Sequence, residues 1–410
     1  MMQKQTLVDF FSEDSVSSNV AYKNRSLKKS ILKQLDVVGD LTIPELTKEL
    51  NISTPKITSL LNELMEEGLI TDMGKVDSTG GRRANIYGLL NSACYFIGVD
   101  VKRYYVNIGM IDFKKHIIST EQKIEYPLEN TQKSLNALID IINKFIKETG
   151  LSKEKILGMG INLSGRINNN TGYSYSYFHF QEESLAAIIE KEIGVKAFLE
   201  NDSNAMAYGE FLHGVVQNEK NILYIHLDHG TGSGIIIDGK VYYGRSGFSG
   251  EFGHIPFFNN DIICGCGKKG CLETEVSGIA LLRKTKEKLQ QGNASILTSK
   301  YKNVDDLKLE DLIEAAKNED VLMIELLAEM GDLLGKAISA LINLFNPELV
   351  ILGGILAESG DYLRLPTKSA INKYSLSLVN NDTQLKSSKL GESAGVIGAC
   401  LIARNKLLML

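Results

Sequence analysis

The chain has 410 residues, 43% of them hydrophobic and 23% charged, with a formal net charge of -5; that length exceeds what one hydrophobic core usually serves, so two or three packed units are expected. The opening MMQKQTLVDFFSEDS carries no basic-then-apolar leader, and no apolar run is long enough to span a bilayer, so a cytoplasmic protein without membrane contact is expected. The negative balance argues against a nucleic-acid coat, although an average can hide a local patch.

Residues 1–22 are polar and aperiodic and are expected to stay loose unless a partner orders them. From Ser26 the pattern turns helical: Leu27, Ile31, Leu32 and Leu35 share a face, and Gly39 stops it. A second helix fits Thr42 to Leu50, with Thr42 as N-cap and Glu45 three residues on, a capping box. Ser53, Thr54 and Pro55 then start a third, in which Ile57, Leu60, Leu61 and Leu64 recur at three- and four-residue spacing until Gly68. LITDMGKV and ANIYGLL read as strands joined by the tip DSTGGRR. Three helices and a hairpin over residues 23–91 make the plan of a winged helix-turn-helix.

On that plan the third helix offers Ser53, Thr54, Lys56, Thr58, Ser59 and Asn62 to the major groove of operator DNA, while Arg82 and Arg83 on the wing reach the minor groove or the backbone. Residues 20–90 hold ten basic and nine acidic side chains, so shape carries this reading more than charge. A helical appendage that docks a protein partner is the competing one.

Beyond Asn91 the pattern becomes CYFIGVDV, YYVNIGMIDF and HIISTEQKIEY, three apolar-rich strands, then an amphipathic helix through Leu135, Leu138, Ile142 and Ile146. Strand and helix alternate through KILGMGINLS, EESLAAIIEKEIG, KAFLEND and SNAMAYGEFLHG. NILYIHLDHG and GSGIIIDGKVYYG open a second, related unit that PELVILGG closes. Mixed α/β sheets clothed by helices, in two lobes with a ligand cleft, are expected. The first lobe is placed at about 92–200 with the last helix, 394–410, packed back on it; the second spans about 201–393.

Cys264, Cys266 and Cys271 cluster downstream of His254, whereas Cys94 and Cys400 stand apart as apolar fillers. His-x9-Cys-x-Cys-x4-Cys is the Cys3His donor set of a closed, structural zinc site, with Gly265, Gly267 and Gly270 expected to let the loop turn tightly. A disulfide between Cys264 and Cys266 would be strained; a redox thiol cluster is the other reading.

Together GFSGEFGH, CGCGKKGCLE, ENDSNAMAYGE, LDHGTGSGIIIDGK and NPELVILGG resemble the ROK family (repressors, open reading frames and kinases), from about residue 92 to the end. The resemblance implies the bilobal actin-like, sugar-kinase (ribonuclease H-like) fold, and the winged helix in front further resembles the repressor branch. It also implies that Asn201 and Asp202 contact sugar hydroxyls, that Glu251 and Glu273 are further sugar ligands, and that His254 serves both zinc and sugar. Carboxylates accept two neighbouring hydroxyls, and an amide both donates and accepts.

ROK kinases cradle nucleotide phosphates with an Asp-x-Gly-Gly-Thr-Lys turn, where this chain reads Asp100, Val101, Lys102, Arg103, Tyr104, Tyr105. Long side chains replace both glycines, so no ATP is expected and Asp202, the general base of the kinases, is expected to have no reaction to run. Gly230, Thr231 and Gly232, and Gly353 with Gly354, persist, but such turns also occur as ordinary punctuation. These features imply a sugar-responsive regulator, a homodimer or homotetramer that binds operator DNA and a monosaccharide or sugar derivative. An active ATP-dependent hexose kinase, and a sugar-binding scaffold that docks protein, are the alternatives.

Overall fold

The computed structural model describes residues 10–11, 19–75, 84–180, 182–301 and 303–408. Ile31, Leu32 and Leu35 are buried on one face of helix α1, Asn19–Val37. The helix starts well before Ser26, a correction to the sequence reading: Ala21, Tyr22 and Lys23 are exposed, so no apolar period marks the first turns. Asn24 in this stretch accepts a 2.8 Å hydrogen bond from Lys56. Most of the segment expected to be loose lies outside the described residues; of the rest, Phe10 and Phe11 are buried, and the Phe11 carbonyl accepts from Lys29 at 3.1 Å.

A short strand β1 (Leu41–Thr42) precedes α2 (Ile43–Leu50) and α3 (Thr54–Glu66). Thr42 caps α2, and its own N–H donates to Glu45 at 2.8 Å, closing the capping box. Ile57, Leu60, Leu61 and Leu64 form the buried face of α3. Strands β2 (Ile70–Lys75) and β3 (Asn85–Leu89) complete a sheet in the order β1-β3-β2. The wing tip with Arg82 and Arg83 lies outside the described residues.

Strands β4 (Tyr95–Val101), β5 (Tyr105–Asp112) and β6 (Ile117–Glu125), helix α4 (Gln132–Glu148), β7 (Ile156–Leu163), the short β8 (Ile167–Asn168) and β9 (Tyr173–Ser174), helix α5 (Leu185–Ile193) and β10 (Lys196–Asn201) follow. Their sheet runs β10-β7-β4-β5-β6, antiparallel from β4 to β6 and parallel between β4 and β7. Every residue of β4 and β7 is buried, the signature of strands covered on both faces.

After helix α6 (Asp202–His213) the same plan recurs in β11 (Ile222–Leu227), β12 (Thr231–Ile237) and β13 (Lys240–Val241). Helices α7 (Gly278–Gln290), α8 (Leu297–Lys300), α9 (Leu309–Lys317) and α10 (Val321–Phe345) lead to β14 (Leu349–Gly353), α11 (Asp361–Tyr374), α12 (Ser377–Asp382) and β15 (Gln384–Ser387). Here the sheet order is β13-β12-β11-β14-β15, with β11 antiparallel to β12 and parallel to β14. Leu326, Leu327, Leu334 and Ile338 of α10 pack in one core with Leu223, Ile225, Val350 and Leu352 of the sheet.

Two compact units result: unit 1 holds Met1–Leu163, Gly172–Leu199 and Ala399–Leu410, and unit 2 holds Ser164–Thr171 and Glu200–Gly398. The winged elements therefore group with the first lobe. Helix α13 (Ala394–Leu408), assigned whole to the first lobe from sequence, has its first turn in unit 2 and the remainder in unit 1. The reason is local: a β-carbon on Gly398 would collide with the Ala205 carbonyl of α6. Among the described residues no helix is long and apolar enough to cross a membrane.

Candidate effector and metal site

Within unit 2, His254 closes a short 3-10 turn, Phe252–His254, and the chain then runs into a small antiparallel loop. Bridges Pro256 to Cys271 and Ile263 to Lys269 hold that loop, and Cys264 N–H donates to Lys268 O at 2.8 Å. Gly267 and Gly270 have φ of +83° and +72°, and a β-carbon on Gly270 would strike the Phe258 carbonyl, so both positions need glycine. Gly265 does not: it has open space and no positive φ, which corrects the expectation for that residue.

The loop brings ligand atoms of His254, Cys264, Cys266 and Cys271 within 4.8 Å of one another. His254 Nδ1 lies 3.5 Å from Cys264 Sγ, and the Cys266 and Cys271 sulfurs are 3.6 Å apart. Burial pushes the Cys264 thiol up to about 12 and raises Cys271, while Cys266, despite burial, is held below the usual thiol value by hydrogen bonds led by that of the Lys268 backbone. Three thiols and an imidazole, converged and mostly shielded, are a donor set that suits a metal ion, whose charge would favour the thiolates.

His254 turns its other nitrogen outward, Nε2 lying 3.7 Å from the Glu251 carboxylate. Glu273 stands two residues past Cys271; one oxygen is 3.4 Å from Cys264 Sγ and the other accepts from Thr231 N–H at 2.9 Å. Asn201 is the N-cap of α6: its side-chain oxygen accepts from Ser203 and Asn204 N–H at 3.0 and 3.2 Å, and its amide nitrogen donates to Gly165 O at 3.1 Å. Asp202 is 8% exposed in the first turn of α6, where the helix dipole favours its charge, and it accepts from Ser203 N–H at 2.7 Å.

Behind these residues lies a polar layer that sequence reasoning missed. Glu200 is 2% exposed and accepts from Tyr243 Oη at 3.0 Å, Asn169 Nδ2 at 3.4 Å and Asn201 N–H at 3.0 Å. Burial, reinforced by the Glu200 charge, keeps the Tyr243 hydroxyl protonated far above its ordinary range. His226, in an otherwise apolar strand, lies 3.7 Å from both the Asp202 and the Asp228 carboxylates and 3.2 Å from Ser203 Oγ. A histidine interrupting ILYIHL was the visible signal for it.

The Gly-rich turn at 230–232 is committed to this site. Thr231 Oγ1 donates to Val276 O, and β-carbons on Gly230 and Gly232 would lie 2.6 Å from Glu273 Oε2 and 2.5 Å from Ser203 Oγ. The glycines thus admit Glu273 and Ser203, a more specific role than punctuation. In unit 1, the turn after β4 carries long side chains: Lys102 Nζ lies 3.6 Å from the fully buried Asp100 carboxylate, while Arg103 and Tyr104 are exposed and the Arg103 guanidinium lies over the Tyr104 ring.

On α3, Ser53, Thr54, Ser59 and Asn62 are exposed, and Lys56 and Thr58 are half-buried. Lys56 is turned back to Asn24, Thr58 to the Thr54 carbonyl and Ser59 toward Glu63 at 3.3 Å, while Ser53 makes no capping bond with its hydroxyl. Lys28 pins the far end of this helix through Glu63 at 2.8 Å and Glu67 at 2.6 Å.

The ROK family model matches residues 96–406. The chain belongs to the ROK family. A model of winged helix-turn-helix DNA-binding domains matches residues 25–71, ahead of the ROK domain. The xylose repressor of Caldicellulosiruptor bescii is 29% identical over 366 residues, covering 89% of this chain and 92% of that protein. The DNA-binding transcriptional dual regulator NagC of Escherichia coli is 28% identical over 382 residues, covering 92% of each. Among solved structures, a ROK family transcriptional regulator homologous to the E. coli MLC protein has a TM-score of 0.79 at 28% identity and covers 94% of this chain and 97% of its own. A ROK family glucokinase from Streptomyces griseus, in complex with glucose and AMPPNP, has a TM-score of 0.67 at 28% identity over 76% of this chain and 99% of that one. The regulator therefore matches more of this ROK protein, and more closely, than the kinase does.

Proposed function

We propose that this ROK protein is a sugar-responsive, DNA-binding transcriptional regulator, acting as a repressor of carbohydrate-utilisation genes. The observation that carries the reading is the pairing of a winged helix-turn-helix with a ROK domain in which Lys102 and Arg103 stand in the turn after β4, where the kinases have glycines. Phosphoryl transfer rests on positioning the phosphates, so the loss of both glycines weighs more than a retained carboxylate. Asn201, Asp202, Glu251, His254 and Glu273 bind the hydroxyls of a monosaccharide or sugar derivative. His254, Cys264, Cys266 and Cys271 hold a structural zinc ion, which when bound fixes the loop that carries Glu273. With Nδ1 on the metal, His254 keeps Nε2–H for a sugar oxygen.

Ser53, Thr54, Lys56, Thr58, Ser59 and Asn62, with Arg82 and Arg83 of the wing, contact operator DNA as a homodimer or homotetramer in the cytoplasm. Sugar binding changes operator affinity only to the extent that it favours one arrangement of the protein over another. Titration of the full-length protein on a duplex from its own upstream region tests this, with and without D-xylose, D-glucose, N-acetyl-D-glucosamine and the 6-phosphates of the last two. At least one sugar is expected to change operator affinity by about 5- to 150-fold; a sugar that demonstrably binds yet leaves DNA affinity unchanged would refute the reading. The likeness to a glucokinase and the retained Asp202 favour a second reading, an active sugar kinase, which predicts ADP release at about 1 to 100 per second.

A further inference from the structure

A sugar-responsive regulator needs a route from its sugar site to its winged elements, and the last helix contacts an element of each. At its N-terminal end, α13 meets α6, the helix that carries Asp202: Gly398 abuts the Ala205 carbonyl, and a β-carbon on Gly209 would lie 2.6 Å from Ala394 O. At its other end, within unit 1, Arg404 meets α1. The Arg404 guanidinium forks onto Asp36, with Nη2 2.6 Å from Oδ1 and Nη1 3.2 Å from Oδ2. It also donates twice to the Phe113 carbonyl, at 3.1 and 3.0 Å, and lies over the Phe113 ring.

Both partners are shielded, at 5% and 9% side-chain exposure, far below what surface ion pairs show. Asp36 sits in the last turn of α1, where the helix dipole favours cations. The neighbouring hairpin turn adds two more: Lys115 lies 3.0 Å from Asp36 and Lys114 3.1 Å from Asp40. Helix α1 is in turn fixed to the DNA-facing helix α3 by Lys28 on Glu63 and Glu67 and by Lys56 on Asn24. A buried bidentate pair is a poor source of net stability but a good source of unique geometry, because either partner alone leaves an uncompensated charge.

We propose that Arg404 is a positioning residue, and that its forked pair with Asp36 holds the winged elements to the last helix, so that a sugar-dependent shift of α13 reaches α3. Neither residue is among those assigned above to sugar or DNA. It sets how strongly the two sites are coupled, and the inference rests on the regulator reading given above. Spatial continuity alone does not establish coupling, so the test must measure it.

The measurement is the ratio of operator affinities with and without the sugar to which the wild type responds, drawn from the same xylose, glucose and N-acetylglucosamine panel. It is made on full-length wild type, Arg404→Gln, Asp36→Asn, the double variant and Arg404→Lys, with sugar affinity measured separately on DNA-free protein. Asp36→Asn and Arg404→Gln are expected to keep sugar affinity within about twofold while the affinity ratio collapses from the 5- to 150-fold range toward about one. The double variant should be no worse than either single one, and Arg404→Lys, which keeps the charge but loses the fork, should be intermediate. A wild-type ratio in cooperatively melting variants overturns the proposal. If Arg404→Gln does not fold, Asp36→Asn carries the test, since Arg404 there keeps its bonds to Phe113; failure of that variant to fold would make the pair a core element and equally overturn the proposal. A wild type without any sugar response sinks the regulator reading instead, before a variant is made.

Discussion

His254 faces two ways, its Nδ1 toward Cys264 and its Nε2 toward Glu251, and Glu273 does the same with Cys264 and Thr231. Each side chain is therefore held by one neighbour while presenting to another. Glu273→Gln keeps the shape and removes the charged acceptor, so it should weaken sugar binding by about 1.5–3 kcal/mol, roughly 10- to 150-fold, by calorimetry. Metal content should stay unchanged, because Glu273 is not one of the four converging ligands. At this scale the metal-binding cluster was legible, because the cysteine spacing forecast it. Glu200, Tyr243 and Asn169 were not legible, because their closeness arises from three separate segments and no local spacing encodes it. His226 does leave a local sign, a polar break in an apolar strand.

Among the elements, the turn before β11 is tied to β15 by Glu219, which accepts from Gln217 and Asn218 N–H at 2.7 and 3.1 Å and from Lys386 at 2.9 Å. Burial pushes its carboxyl up, but these hydrogen bonds, led by the Gln217 N–H, prevail and bring it down to about 2 from an ordinary 4.5. A depressed folded-state value contributes stability above the unfolded one and loses it as pH falls through the folded one. Glu219→Gln should therefore be less stable than wild type near pH 6, and the gap should close between about pH 4.5 and 2 in denaturant titrations. A gap independent of pH would show that the charge is not what matters. The helical periods of α3 and α4 were legible because each buries one apolar stripe. The early start of α1 and the short strand β1 were not: exposed first turns carry no stripe, and a two-residue strand has too few positions for alternation to register.

For the whole molecule, a Cys3His cluster that pins the loop before Glu273 predicts that sugar binding requires the metal. A strong chelator should lower the melting temperature of unit 2 and abolish sugar binding, because the free energy of binding a structural metal is also folding free energy. Unchanged melting and sugar binding in protein shown by elemental analysis to be metal-free would overturn the zinc assignment. The two-lobed repeat could be read from the recurrence of strand and helix, but the division of α13 could not, since it depends on which backbone a glycine meets.

That glycine contact has a mechanical consequence. Where α6 and α13 cross at Ala205 and Gly398, main chain rests on main chain with no side chain interposed to flex or change rotamer. Such a joint has little compliance, so a displacement of α6 would be passed to the first turn of α13 rather than absorbed. Stiffness of that kind would let a ligand as small as a monosaccharide move an element fifteen residues long.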